Sequence, residues 1–461
     1  MSRPRPTLLV AGGAVICAAT YWSFLHLRWP GRLAIWIVFA AVLIAIIRVR
    51  PKKAVLLVVA CSALVQIPGL TMAPQGSTDA YRYVWDGRVQ LAGHSPYTRA
   101  PLDNDLANLR DPVLFPGLTP AEHTGVHGLS DDTTDDPRTR INRPHVPTIY
   151  PPVAQVWFAA VAAVTPWSAG TFGVQLAAAL AAIATAALLA SKLKHNPLLA
   201  LGFGLCPAVA LEAGNDGHVE LLMTLLTVAA VVTSRRRILS GVLLGLAIGT
   251  KLVPLLVAPA IRTGVKGRLA TAATLIMAYL PYLLTAGWLA FGYLPGYVAE
   301  EGFDGGTGRY ALLGLVLPAH LRTPVAVLLG AALAAIAWHR AGRDGAAVSA
   351  TWLFGAAVLI GTPAYPWYTL PLLALAVLSG RWEWLAVVVA AHGAYAAYDE
   401  PARITLWYSA ALLAVIVAVG LRRLAPDPGS RAPSPAGRPR TAPPRRTRPR
   451  SPRRPRVPAP R

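Results

Sequence analysis

The sequence predicts an all-α, polytopic membrane protein, and its composition and hydropathy pattern carry that prediction. Of the 461 residues, 54% are hydrophobic and only 14% are charged, whereas soluble domains carry about 25% charged residues. Apolar runs of membrane-spanning length recur along the chain, and short basic clusters separate them. We therefore expect about 12 transmembrane helices, a re-entrant hairpin and a large extracytoplasmic loop of short helices.

Charge and cysteine content argue against nucleic-acid binding and against a zinc or disulfide framework. The net charge is +22, but the cations lie between apolar runs and in the C-terminal tail, as membrane topology requires. Cys17, Cys61 and Cys206 are isolated within apolar runs and show no ligand spacing. We read all three cysteines as small buried residues.

Residues 1–70 are predicted to form three N-terminal transmembrane helices. Arg3 and Arg5 place the N-terminus in the cytoplasm, and the basic cluster at 48–53 marks the next cytoplasmic turn. The loop that begins at Thr71 is therefore extracytoplasmic. We expect a multi-pass protein of the plasma membrane with both termini in the cytoplasm and the active site outside.

Residues 71–171 are predicted to form a folded extracytoplasmic catalytic loop with a juxtamembrane helix. The loop contains aromatic residues and spaced proline turns, which a flexible linker would lack. The apolar run 153–166 is too short to cross a bilayer, so we place it along the outer surface. The acidic run 131–136 lacks the spacing of a calcium loop, and we favour a solvated insertion over a cation site.

Residues 172–421 are predicted to form the main transmembrane bundle, with an outer loop at 288–310. The segment 238–261 has basic clusters at both ends and is interrupted by glycine and proline. A re-entrant hairpin keeps both clusters inside and puts Lys251 near its tip. Residues 422–461 are rich in Arg and Pro and are predicted to be a disordered cytoplasmic tail.

Asp79 and Asp86 are the candidate acids of the first outer loop. They are seven residues apart and share a helix face, with Arg82 between them. Acids, hydroxyls and aromatic rings over the cationic Lys251 suit a sugar carried on a polyprenyl phosphate, because one carboxylate can accept the acceptor's proton while the phosphate leaves as an anion. We take Asp79 as the candidate base, whereas Asp86 either contacts substrate or holds the loop in shape.

Several short motifs resemble those of bacterial GT-C glycosyltransferases, and in particular actinobacterial polyprenyl-phosphomannose-dependent α-mannosyltransferases. They are TDAYRYVWDG from Thr78, GHSPY from Gly93, YPP from Tyr150, GTKLVP from Gly249, EGF from Glu301 with Arg309-Tyr310, and PWY from Pro366. The resemblance implies an inverting transfer in which an early acid of this loop, here Asp79, is the base. Asp79-Ala80-Tyr81 stands where some relatives carry DxD, so we favour a site without a divalent metal.

The predicted site combines both lines of reasoning. Asp79 is the catalytic residue, and the donor phosphate is bound by Lys251, Arg82 and Arg309. The predicted substrate-binding residues are Tyr81, Tyr83, Asp86, His145, Tyr150, Asn215, Asp216, His218, Glu301, Tyr310, Trp367 and Tyr368.

The predicted function is the transfer of a sugar, mannose by the resemblance, from a polyprenyl-phosphate donor to a glycolipid or glycan acceptor. No cofactor and no nucleic acid are expected, and membrane lipid is the surrounding partner. A secondary transporter or flippase of a lipid-linked sugar is the alternative, because broken helices and intramembrane charge also suit transport. A transporter should show matching broken segments in two halves, and the sequence shows one. A non-catalytic scaffold would not explain Lys251.

Overall fold

The computed structural model describes residues 6–28, 31–118, 136–302, 309–398 and 400–424. Within these ranges helices are the only regular secondary structure, which confirms the all-α prediction there. In chain order they are α1 (Pro6–Leu27), α2 (Arg32–Ile46), α3 (Ala54–Leu64), α4 (Ile67–Leu70), α5 (Asp79–Leu91), α6 (Pro152–Val164), α7 (Phe172–Lys192), α8 (Leu201–Gly204), α9 (Pro207–Val209), α10 (Glu220–Val232), α11 (Arg237–Thr250), α12 (Ala258–Ile261), α13 (Gly264–Ala286), α14 (Leu294–Glu300), α15 (Ala319–Asp344), α16 (Ala346–Gly361), α17 (Leu370–Ser379), α18 (Leu385–Tyr395) and α19 (Pro401–Leu424). Short 3-10 turns and one π-helical turn, Ala210–Asn215, lie between them.

The chain divides into two units, residues 1–418 and 419–461. In the second unit the structure describes only the residues that complete α19, which runs past the predicted tail boundary at 422 to Leu424. The predicted disordered tail beyond Leu424 lies outside the described residues. So do residues 131–135 of the acidic run and the centre of the outer loop at 303–308.

Five helices in the described ranges are long and apolar enough to cross a membrane: α1, α7, Gly264–Glu300, α15 and α19. A sixth span results if the pair Pro197–Gly204 and Pro207–Asn215, bent by 53°, counts as one. Further apolar helices are 10–17 residues long, short of the roughly 20 residues that a crossing needs. The class of membrane protein is supported, and the count of about 12 spans stays a prediction.

The largest core lies among α1, α2, α3, α7 and α17, where Tyr21, Phe39 and Phe203 are buried. A second core lies under the first outer loop. There α5 packs on α6, Tyr83 stacks on Phe158 with 4.4 Å between ring centroids, and Trp85 meets Phe115 edge-on at 5.1 Å. Aromatic burial therefore gives this loop its own packed interior.

Helices α5 and α6 approach closely because Gly87 faces the carbonyl of Phe158. A Cβ at position 87 would collide with that carbonyl and with Ala162. The 13 residues of α6 rise about 20 Å, which is less than the roughly 30 Å of a hydrocarbon core. Its place along the membrane surface stays a prediction.

Buried amides hold the turn before α10 against α4 and α7. Gln66 Oε1 accepts the Gly214 N–H at 3.0 Å, and Gln175 Nε2 donates to the Asn215 carbonyl at 2.7 Å. Gly69 lies against the Gly214–Asn215 peptide, where any Cβ would collide. The π-helical turn Ala210–Asn215 thereby brings Asp216 and His218 towards the start of the outer loop.

Lys251 stands at the break that follows α11. The helix is a single element of 14 residues, Lys251 is extended with φ −158° and ψ 147°, and a 3-10 turn at Val253–Val257 follows. The re-entrant hairpin over 238–261 stays a prediction.

Candidate active site

Asp79 is the first residue of α5, and its carboxylate lies at the edge of a cavity. Its backbone N–H donates to Ser77 Oγ at 3.1 Å, and its side chain is 13% exposed. The N-terminal end of a helix carries partial positive charge, which favours an anion there. Asp79 is thus a partly accessible carboxylate on a rigid element.

Three hydrogen-bond donors hold the Asp79 carboxylate. Asn142 Nδ2 lies 2.5 Å from Oδ1, while the hydroxyls of Tyr150 and Tyr83 lie 3.1 and 3.3 Å from Oδ2. Burial and the neighbouring Asp79 charge raise the pKa of both tyrosine hydroxyls well above their usual value. The two hydroxyls therefore remain protonated donors, and the carboxylate keeps a defined orientation.

A chain of buried ionisable side chains continues behind Asp79. His218 Nε2 lies 3.8 Å from Asp79 Oδ2, and its Nδ1 lies 2.8 Å from Glu212 Oε2. The other Glu212 oxygen lies 3.2 Å from His392 Nε2. His218 also packs on the Trp367 ring, with 4.1 Å between centroids.

Asn215 and Asp216 hold the segment that leads into α5. Asn215 Oδ1 and Asp216 Oδ1 both accept the Gln75 N–H at 3.1 Å, and Asp216 Oδ1 also accepts the Gly76 N–H at 2.8 Å. Both residues are buried. They position the chain beside Asp79 instead of lining the cavity.

A polar cavity of about 700 Å³ opens beside Asp79. Arg143 lies in its wall and pairs with Glu300 at 2.8 Å and with Glu301 at 3.3 Å. Burial lowers the pKa of Arg143, but the hydrogen bond and charge of Glu300 outweigh it and raise the pKa above its usual value. Aromatic side chains supply much of the remaining wall: Tyr150, Tyr297, Tyr365, Trp367, Tyr368, Tyr395 and Tyr398.

A second cavity, apolar and about 490 Å³ in volume, adjoins the first. Its walls come chiefly from α11, α13 and α16 and the turns beside them, and it shares Ile149, Tyr150, Lys251, Tyr297 and Tyr368 with the polar cavity. Lys251 is therefore at the junction. Its ammonium group forms an ion pair with Glu220 and lies 4.5 Å from the centre of the Tyr368 ring.

Residues 148–363 match the model of glycosyltransferase family 87. The match supports a GT-C-type membrane glycosyltransferase, which acts between a sugar donor and an acceptor. It includes Lys251, His218 and Glu301, but Asp79 precedes it and Trp367 follows it. No curated protein and no solved structure matched the chain.

Two predicted phosphate ligands, Arg82 and Arg309, are buried and line neither cavity. Arg82 pairs with Asp86 at 2.9 Å and donates to the carbonyls of Arg143 and Val146. Arg309 forms an ion pair with Glu301 and donates to the Glu301 carbonyl at 2.7 Å. Both guanidinium groups already donate hydrogen bonds to backbone or carboxylate oxygens. We therefore interpret both arginines as residues that support the cavity wall.

Besides Tyr83, Asn215, Asp216 and His218, four further predicted substrate-binding residues line neither cavity. Asp86 is 1% exposed and accepts hydrogen bonds from Thr148 at 2.6 Å and Gln155 at 2.9 Å. Tyr81 is buried in the loop core, and Tyr310 is buried beside Gly361. His145 lies 3.5 Å from Asp136, whose pKa is held below its usual range by hydrogen bonds from Arg138.

The sequence reasoning missed several wall residues. Asn142 and Arg143 stood out only as part of a proline turn, and Tyr365 only as the neighbour of the PWY motif. Tyr297, Tyr395 and Tyr398 had no local signal that separated them from ordinary interfacial aromatics. Glu212 lies within an apolar segment, where an acid is itself a signal of function.

One trio in the described ranges could hold a metal ion: Glu212, Asp216 and His218, whose ligand atoms lie within 4.8 Å of one another. Their atoms are already engaged, since Glu212 contacts two histidines and Asp216 accepts two backbone N–H groups. We therefore read the trio as a cluster of paired ionisable side chains that supports the segment before Asp79. The metal-independent site stays a prediction.

Proposed function

We propose that this protein transfers a sugar from a polyprenyl-phosphate donor to an acceptor hydroxyl on the extracytoplasmic face, with Asp79 as the base. One observation carries the proposal. The polar cavity that contains Asp79 and the apolar cavity meet at Lys251. A ligand with an apolar chain, an anionic centre and a sugar matches that order of surfaces.

The donor's isoprenoid chain would lie in the apolar cavity between α11, α13 and α16. Its phosphate would lie at Lys251, and its sugar would extend into the polar cavity towards Asp79. Arg143 is the second cation in that cavity wall. Lys251 is kept as a phosphate ligand, and Arg143 replaces Arg82 and Arg309 as the second ligand that we favour.

Both cations have acidic partners, which shapes how they would bind phosphate. Lys251 is paired with Glu220, and Arg143 with Glu300 and Glu301. A phosphate would join or displace a carboxylate at each cation. The carboxylates neutralise these half-buried cations when the donor is absent, since an unpaired charge away from water is costly.

The proposed reaction is a single displacement at the anomeric carbon. The acceptor oxygen attacks that carbon, the bond from the carbon to the phosphate oxygen breaks, and the electron pair leaves with polyprenyl phosphate. Asp79 takes the acceptor's proton, and the anomeric configuration inverts. No separate acid is required, because the phosphate leaves as an anion beside Lys251. The tyrosine hydroxyls and Asn142 keep the Asp79 carboxylate aimed into the cavity.

Mannose is the sugar that we favour, and its support is the resemblance of the outer-loop motifs to polyprenyl-phosphomannose-dependent enzymes. Membranes containing the protein, supplied in turn with labelled polyprenyl-phosphate sugars, will identify the sugar by which label enters a product.

Asp79→Asn tests the base. We expect sugar transfer to fall by at least about 100-fold, since a positioned base contributes 10²–10⁴-fold, while expression and detergent elution remain unchanged. The measurement is the initial rate of label transfer in membranes with equal amounts of protein. Asp105→Asn is the matched control, because Asp105 is on the same loop but is exposed and forms a surface ion pair with Arg99.

Transfer by Asp79→Asn at a rate near that of the unaltered protein would rule out Asp79 as the base. Movement of an intact lipid-linked sugar across vesicles, with no covalent product, would instead support the flippase alternative.

A further inference from the structure

A third cavity, about 500 Å³ in volume, lies where α2 leads into α3 and α7 leads into α8. Five basic side chains line it: Arg50, Lys52, Lys53, Lys194 and His195. Among the residues that the structure describes, none that lines this cavity is acidic. It shares no residue with the two cavities of the proposed active site.

This basic cavity lies at the opposite end of α3 and α7 from the active site. Gln75 and Gly76, which follow α4, line the polar cavity, whereas Lys53 precedes α3. The 17 residues of Ala54–Leu70 rise about 25 Å and the 21 residues of α7 rise about 30 Å. These lengths approach the thickness of a bilayer core. The positive-inside rule assigns the basic end to the cytoplasm.

Two hydrogen bonds to the Ile47 carbonyl hold the cavity wall in place. Asn196 Nδ2 donates to the Ile47 carbonyl at 2.7 Å, which ties the segment after α7 to the end of α2. Arg50 donates to the same carbonyl at 2.9 Å. Cations from two separate parts of the chain are thereby brought around one concave surface.

The charges of this cavity are available to an anion. In the part of the chain that the structure describes, no ion pair to an acidic residue is recorded for Lys52, Lys53 or Lys194. The first turn of α3, Ala54–Leu56, also lines the cavity and has no side-chain cap. Uncapped first-turn N–H groups and the helix dipole add to the attraction of an anion.

The rim of the cavity is apolar, and this decides the kind of anion. Val55 and Leu56 line it and are 40% and 61% exposed. Apolar side chains exposed on a membrane-spanning protein face acyl chains. We propose that the basic cavity binds the phosphate headgroup of an anionic membrane lipid, whose acyl chains lie along the start of α3. The positive-inside rule explains the sign of the charge, but it does not explain a concave site with an apolar rim.

The test uses the full-length protein, delipidated in detergent and titrated with phosphatidylglycerol or phosphatidylcholine, with bound lipid counted by native mass spectrometry. We expect one phosphatidylglycerol to bind at least tenfold more tightly than phosphatidylcholine. The triple variant Lys52→Gln/Lys53→Gln/Lys194→Gln should lose at least tenfold in that affinity. Arg235→Gln/Arg236→Gln/Arg237→Gln is the control, since it removes the same charge from residues that do not line the cavity.

Equal losses of phosphatidylglycerol affinity in both triple variants would overturn the proposal, because the lipid would then be attracted by net charge and not by this cavity. Millimolar glycerophosphate, which has no acyl chains, is the competitor. If it displaces phosphatidylglycerol completely and binds as tightly, the cavity binds free phosphates, and the proposal of a lipid ligand is wrong. If the triple variant fails to fold, the single variants Lys52→Gln and Lys194→Gln are titrated in its place. Each should lose part of the affinity, and no loss in either would overturn the proposal.

Discussion

At the scale of single residues, the candidate base and the candidate phosphate ligand are held in different ways. Asp79 receives neutral donors, from Asn142, Tyr83 and Tyr150. Lys251 is held by the charge of Glu220 and by the faces of aromatic rings. Neutral donors fix the direction of the Asp79 carboxylate, whereas the opposite charge of Glu220 holds the Lys251 ammonium group where the two cavities meet.

Lys251→Met should weaken donor use. Losing a charged hydrogen bond should raise the KM for the polyprenyl-phosphate donor about ten- to hundredfold, while the KM for the acceptor stays unchanged. Initial rates at varied donor and varied acceptor concentrations separate the two. Lys266→Met, at an exposed position of α13, is the control. A change confined to the acceptor KM would remove Lys251 from the phosphate site.

At the scale of elements, α5 is held in position by a network of buried hydrogen bonds around Asp86. Asp86 is buried and binds Arg82 of its own helix, Thr148 of the following segment and Gln155 of α6. The same helix begins with Asp79. The network therefore sets the position of the candidate base without touching the cavity.

Asp86→Asn should destabilise the protein, because it leaves the Arg82 guanidinium buried beside a neutral group. Breaking a buried pair costs about 3–5 kcal/mol. Thermal unfolding in detergent measures this, and Glu400→Gln is the control, since its pair with Arg403 is largely exposed. An unchanged unfolding temperature with lost transfer would instead show that Asp86 contacts substrate, the other role that the sequence predicts.

At the scale of the whole molecule, an apolar cavity and a polar cavity adjoin each other. Lys251 and Tyr368 lie where they meet. Under the proposed function, the chain of the donor would occupy the apolar cavity and its sugar the polar cavity. This arrangement predicts that chain length and sugar are recognised in separate places.

Ala357→Trp should fill part of the apolar cavity, since Ala357 lines it from α16. We expect the KM for a long-chain polyprenyl donor to rise at least about tenfold, because an indole occupies the path of the chain. A donor with a short isoprenoid chain should be affected less. Ala332→Trp, on an exposed face of α15, is the control. Equal effects on both donors would place the chain elsewhere.

Local chemistry predicted part of the candidate site from the sequence. Asp79 stood out because acids are rare in this chain and it occurs in its first long polar stretch. Lys251 stood out because a charged side chain within an apolar segment is costly to bury and therefore indicates a functional site. Both line the polar cavity. The same reasoning also selected Arg82 and Asp86, which bond to each other and lie under the loop.

The sequence by itself determined the all-helical membrane class, since composition and hydropathy report directly on the solvent that each segment prefers. Only the tertiary structure decided which side chains meet. Asn142 reaches Asp79 across 63 positions, and Glu220 meets Lys251 across 31. Such pairs depend on how α5, α10 and α11 pack, and helix packing is set by whole surfaces. For that reason the structure could replace Arg82 with Arg143 as the favoured phosphate ligand, and the sequence could not.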